Sequence, residues 1–222
     1  MSSPLLIAVL GAESTGKTTL AAALPARLAQ LSGLRATWVP ELLREWCERF
    51  GRTPQPHEQA PLMRATHERI TAAAATHDIV VCDTTALMTA VYSQVVFGDA
   101  SLRPRAIELQ RRMHATLLMA LDLPWVADGI QRDGPQVQPV VDTLLREWLA
   151  GAGLPWSLVA GQGEARLDNA IDALAPLLRP RSAPGSGLFT RLDAREGQAG
   201  AARWRGCDCD DPACERALLH RV

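Results

Sequence analysis

The segment Gly11-Ala12-Glu13-Ser14-Thr15-Gly16-Lys17-Thr18 has the form G-x-x-x-x-G-K-T, and Lys17 is the only lysine among the 23 basic residues of the chain. A compact ammonium on a flexible stem reaches phosphate oxygens that a planar guanidinium would fit badly, which gives a chemical reason for lysine at this one position. Gly11 and Gly16 allow positive φ and close backbone approach. The successive N–H groups of Ala12, Glu13, Ser14, Thr15 and the residues up to Thr19 would form an anion nest, and the helix that follows adds its partial positive charge. Thr18 offers a hydroxyl to Mg²⁺. The chemistry implied is capture of a nucleoside triphosphate, ATP being the expected ligand.

Two acids extend this chemistry. Asp83 closes the apolar run Ile79-Val80-Val81-Cys82, where a strand-terminal carboxylate would share Mg²⁺ with Thr18; the plainer alternative is a turn former. Glu41 follows Val39-Pro40. Proline cannot pair inside a sheet, so the strand stops there and presents a carboxylate at the same rim, a role compatible with that of a helix N-terminal acid.

The elements needed to position these groups can be read from the apolar runs. Leu5–Leu10 is a short unbroken run suited to a fully buried parallel strand, and Thr18–Leu24 begins a strong helix former directly after the glycine loop. Further strands are expected at 35–39, 78–83, 116–122 and 156–159, with helices over 41–50, about 57–76 and 165–178, and a Pro-rich loop over 51–56. Alternation of this kind predicts an α/β fold: a P-loop NTPase with a parallel sheet of about five strands, helices on both faces, and ligands at the carboxyl ends of the strands.

Composition sets the outer limits. With 222 residues, 47% apolar content and a net charge of −1, the chain can bury one substantial core and has no electrostatic footprint for nucleic acid or anionic membrane. No apolar stretch approaches a membrane span and no signal-peptide pattern is present, so a cytoplasmic protein is expected. Residues 1–178 read as the catalytic unit and 179–202, rich in Pro, Gly and Ser, as a linker. Residues 203–222 form a Cys-rich segment. There Cys207, Cys209, Cys214 and His220 have a spacing that could complete a Cys₃His zinc site, although carboxylates between the thiols work against metal; the alternative is a reduced, loosely ordered tail. His57, His67, His77 and His114 lie on helical patterns without ligand spacing.

Four segments in order carry a family resemblance: Gly11–Leu20; Val39-Pro40-Glu41-Leu42-Leu43-Arg44-Glu45-Trp46; Asp83-Thr84-Thr85 with Val91-Tyr92-Ser93 and Phe97-Gly98; and Leu123-Pro124-Trp125-Val126-Ala127-Asp128-Gly129. Together they resemble the ribosylnicotinamide kinase domain of NadR-type proteins, over about residues 5–178. The resemblance implies transfer of the γ-phosphoryl of ATP to the 5′-hydroxyl of nicotinamide riboside, giving nicotinamide mononucleotide for NAD biosynthesis. Two departures stand out. The family usually has Asp-Thr-Asp where this chain has Asp83-Thr84-Thr85, which removes one carboxylate from the expected rim. It also tends to place an arginine where this chain has Gln131, with Arg132 one residue later.

On this frame Lys17, the loop amides and Mg²⁺ would carry the triphosphate, while Glu41 or, in competition with it, Asp83 orients the attacking hydroxyl. Arg44, one turn beyond Glu41, could touch substrate or phosphate. Arg132 would cap the γ-phosphate if the glycine- and proline-containing segment 122–135 closes as a lid, and Trp125 would line the nucleoside pocket or pack in the core. The expected partner is a small nucleoside-like molecule. A rival from another class is a nucleotide-responsive switch that acts on a protein partner through the Cys-rich tail.

Overall fold

A computed structural model describes residues 3–126 and 134–178. The expectations for Gln131, Arg132, the linker 179–202 and the set Cys207, Cys209, Cys214 and His220 fall outside the described residues.

Twelve elements occur in the described residues: β1 (Leu5–Leu10), α1 (Lys17–Ser32), β2 (Ala36–Val39), α2 (Leu42–Phe50), α3 (Pro56–Ala74), β3 (Ile79–Asp83), α4 (Ala86–Phe97), α5 (Arg103–Gln110), β4 (Ala115–Met119), α6 (Val137–Gly151), β5 (Ser157–Val159) and α7 (Gly163–Leu178). All strand pairs are parallel and the order is β2-β3-β1-β4-β5. The expected five-stranded parallel sheet is therefore present.

Alternation along β1 distributes the core. Leu5, Ile7 and Val9 point to one face, where they meet Leu20, Leu24 and Leu28 of α1 and Ile171 and Leu174 of α7. Ala8 and Leu10 point to the other, against Leu87 and Val91 of α4 and Val141, Leu145 and Trp148 of α6. Because both faces are covered, the central strands read as continuous apolar runs, which is why the sequence reveals them. α4 to α6 are not assigned by that reading. α4 is apolar on nearly every side, a pattern that marks burial but not period.

Boundaries shift locally. β4 stops at Met119, short of the expected Asp122, because its only partner on that side is the three-residue β5; Ala120 N–H still donates to the Val159 carbonyl at 2.9 Å, and the chain then turns. His114 lies just before β4 instead of on a helix, its Nδ1 accepting the Leu6 N–H at 3.1 Å.

The site follows from topology. Adjacent strands β1 and β3 feed helices on opposite faces, α1 on one and α4 on the other, so their carboxyl ends open a crevice at the switch point of the sheet. Among the described residues no helix is long and apolar enough to cross a membrane.

Candidate active site

The glycine loop occupies that crevice. Gly11 and Gly16 have φ of 152° and 77°, and Gly16 caps α1 in the left-handed region. A side chain at Gly11 would also collide with Met119, whose Cβ lies 2.9 Å from where a Cβ would stand. Both glycines are thus required by backbone conformation, and Gly11 by space as well. Lys17 Nζ donates to the Ala12 carbonyl at 2.7 Å, and Thr15 Oγ1 donates to the same carbonyl at 2.7 Å. Ser14, at φ 55°, exchanges hydrogen bonds with Val126: its Oγ donates to the carbonyl at 2.9 Å and accepts the N–H at 3.2 Å.

Asp83 ends β3 opposite Val9 and is 2% exposed. Neither carboxylate oxygen meets hydrogen-bond geometry with a described residue. Burial pushes its pKa up from the ordinary aspartate value, while the nearby Thr18 hydroxyl and then the Lys17 and Arg44 charges pull it back. The next residue, Thr84, is a β-branched residue at φ 70°, a strained conformation held by its N–H on the Val9 carbonyl at 3.1 Å. The buried Asp83 carboxylate and the nearby Thr18 hydroxyl are hard oxygen donors suited to Mg²⁺, and the Lys17 and Arg44 charges close by suit the phosphates that would share it. Among the described residues no cluster of three His, Cys, Asp or Glu side chains could hold a metal alone, so ligation here would draw on the phosphates and water as well.

A cleft of about 440 Å³ joins the loop to α2, α3 and α4. Residues 13–19 form one end, with Lys17 and Thr18 among them. Glu41 and Arg44 enter from α2, where Glu41 is the N-cap in extended conformation and makes no side-chain cap bond. Gln59 and Leu62 come from α3, and Thr89, Tyr92, Val96 and Phe97 from α4. Cys47 also borders the cleft, but burial first and then Glu41 push its thiol up to about 11, so it is a poor nucleophile at neutral pH.

The structure therefore brings Lys17, Thr18, Thr19, Glu41 and Arg44 to one cleft and buries Asp83 next to its Lys17 and Thr18 end without making it part of the lining. Trp125 is half-buried and does not line the cleft. Thr85 stands where the resemblance implies a carboxylate, and its own side chain does not reach the cleft. Thr85 turns inward, its Oγ1 accepting the Leu87 N–H at 3.2 Å and donating to Gln110 Oε1 at 2.7 Å, so this position caps α4 and does not border the cleft. Sequence reasoning missed Tyr92, Phe97 and Gln59 as lining residues. Thr89, Tyr92 and Val96 stand at i, i+3 and i+7 on α4 and so share a face, but only the fold shows which way that face looks.

A family model described as an AAA domain matches residues 6–166. No curated protein matches the sequence. Among solved structures, NadR in complex with NR is 23% identical with a TM-score of 0.63, over 78% of this chain and 50% of that one. NadR in complex with NAD and AMP-PNP is 23% identical with a TM-score of 0.60, over 78% and 49%. The deoxyadenosine kinase of M. mycoides with its products is 12% identical with a TM-score of 0.55, over 78% of this chain and all of that one (100%). The chain thus spans about half the length of the NadR chains and has the fold of P-loop kinases.

Proposed function

The chain belongs to the AAA domain family, and on that premise we propose that it is an ATP-dependent kinase of a nucleoside-like small molecule, nicotinamide riboside or a close relative, acting on the 5′-hydroxyl. The observation that carries this reading is that one cleft is lined by Lys17 and Thr18, by Glu41 and Arg44, and by Tyr92 and Phe97. A triphosphate site alone fits a switch equally well. A cleft that continues from the phosphate loop to a carboxylate and aromatic side chains fits an acceptor as well. The kinase fold and the complexes of NadR with NR and with AMP-PNP support the choice.

In this mechanism the loop amides and Lys17 hold the phosphates, Lys17 exchanging the Ala12 carbonyl for phosphate oxygens. Thr18 and Asp83 would hold Mg²⁺, which would supply charge neutralisation for the transferring group. Glu41 orients the acceptor hydroxyl and receives its proton, and Arg44 adds positive charge near the transferring group. Tyr92 and Phe97 offer ring faces to the base of the acceptor. The catalytic unit is proposed to end at 178, where Leu178 closes the face formed by α1 and α7; a chain truncated there should still bind ATP.

A coupled assay with ATP and Mg²⁺ across a panel of ribosides tests the proposal. Turnover with nicotinamide riboside or a related nucleoside is expected, with little ATP hydrolysis when no acceptor is present. Hydrolysis that ignores every nucleoside overturns it.

A further inference from the structure

A loop that offers its N–H groups to an anion must turn its carbonyls away, and each carbonyl buried behind the loop then needs a donor. The donors can be traced one by one. The Ala12 carbonyl is served from within the loop by Thr15 and Lys17, and the Gly16 carbonyl by Leu20 N–H in the first turn of α1 at 3.1 Å. Of the three carbonyls between them, those of Glu13 and Thr15 are held from elsewhere in the chain. Gln138 Nε2, at the start of α6, donates to the Glu13 carbonyl at 2.6 Å, and Arg166 Nη1, in the second turn of α7, donates to the Thr15 carbonyl.

Arg166 occupies an unusual position. It heads the apolar stripe Arg166, Ala170, Leu174 by which α7 packs on the sheet, and it is 4% exposed. Buried guanidinium is costly unless its protons are used. Here they are: Nε donates to the Gly161 carbonyl at 2.6 Å, Nη2 pairs with Asp122, and the other Asp122 oxygen accepts the Gly161 N–H at 2.6 Å. One side chain thus ties the exits of β4 and β5 to the phosphate loop. The packing is close, since a Cβ at Gly16 would lie 3.5 Å from Arg166 Nη1 and 3.2 Å from Leu123 Cδ1. Replacing this side chain alone would leave Asp122 and the Gly161 and Thr15 carbonyls without their donor, at a cost in stability; beyond stability, the guanidinium gives the Thr15 carbonyl a fixed direction.

We propose that Arg166, assisted by Gln138, is a positioning residue that holds the Thr15 and Glu13 carbonyls turned away from the crevice and so keeps the loop N–H groups aimed at the triphosphate before it binds. The inference rests on the reading of this loop as a triphosphate site. Without the clamp the loop must reorient its peptides on binding, and that reorganisation is charged against nucleotide affinity and not against the acceptor.

The test compares wild-type chain, Arg166→Met, Arg166→Lys, Gln138→Met and, as a control on the next turn of α7, Asn169→Ala, whose amide donates to the Ala160 carbonyl and, among the described residues, to no part of the phosphate loop. MgATP affinity is measured by calorimetry, thermal melting without ligand by circular dichroism, and KM for ATP and for the nucleoside acceptor by steady-state assay. Folded Arg166→Met is expected to lose about 10-fold or more in MgATP affinity, the scale of a hydrogen bond from a charged donor. Its acceptor KM and its kcat at saturating ATP should stay within about twofold, Arg166→Lys should recover part of the loss, and Asn169→Ala should match wild type. Arg166→Met that binds MgATP as wild type does, or that raises both KM values together, overturns the proposal. Should Arg166→Met not fold, Gln138→Met decides on the same readouts: weaker MgATP binding with acceptor KM unchanged supports the clamp, and unchanged MgATP binding overturns it. Wild-type chain that binds no MgATP overturns the triphosphate reading and the clamp with it.

Discussion

Val9 and Asp83 stand opposite each other in the parallel register of β1 and β3. The carboxylate therefore sits one strand away from the chain that becomes the phosphate loop two residues later, and its burial is fixed by the sheet itself and not by a movable side chain. A group placed so firmly is tuned by what surrounds it.

That tuning gives a stability prediction. A carboxyl group whose pKa is raised by burial favours the folded state while protonated, and this advantage is lost as pH rises through the raised value. At neutral pH the charge of Asp83 then works against the metal-free fold. Asp83→Asn should raise the melting temperature at neutral pH, with a gain that shrinks as pH falls and the wild-type group takes up its proton. MgATP should stabilise wild type more than the variant, and the Mg²⁺ requirement for turnover should rise. A variant that melts below wild type at neutral pH contradicts the account.

Lys17→Ala should leave the fold intact, because Lys17 belongs to none of the three hydrophobic core clusters. Phosphoryl transfer should fall by about 10²-fold or more, since the lost charge stabilises a transition state. Circular dichroism together with the coupled assay separates the two statements.

For Glu41→Gln the expected loss is in kcat, about 10²-fold, with MgATP affinity nearly unchanged. Glu41 caps α2 by position without a side-chain cap bond, so its carboxylate is not committed to the helix. If MgATP affinity falls instead, Glu41 and Asp83 exchange roles.

Tyr92→Ala should raise the acceptor KM by about 10-fold while leaving the KM for ATP in place, the scale of one aromatic contact with a base. Comparing nicotinamide riboside with a ribose that carries no base checks this. Equal sensitivity of both acceptors would remove Tyr92 from the base site.

The sheet and the phosphate loop were legible because each follows a local rule. Buried parallel strands are apolar throughout, the loop has a fixed spacing, and Pro40 marks where β2 must stop and Glu41 begin. Arg166 could not be found that way. An arginine in a helix reads as solvated surface, and only the meeting of α7 with residues 151 positions earlier reveals its partner. The direction of Thr85 was hidden for the same reason: the sequence places it beside Asp83, and only its hydrogen bond to Gln110, 25 residues on, shows that it turns inward. Local pattern fixes elements, while the direction of a side chain depends on contacts that are distant in sequence.

One consequence of the lone lysine concerns how the protein can be handled. Its ammonium is half-buried at the loop and bonded to Ala12, and apart from the chain's N-terminal amine it is the sole primary amine. Amine-directed reagents therefore have a single side-chain address, and it lies where the triphosphate is proposed to sit. An acylating probe would report occupancy of the loop directly: protection of Lys17 by nucleotide becomes a one-peptide measurement by mass spectrometry, free of the background that surface lysines contribute in most proteins.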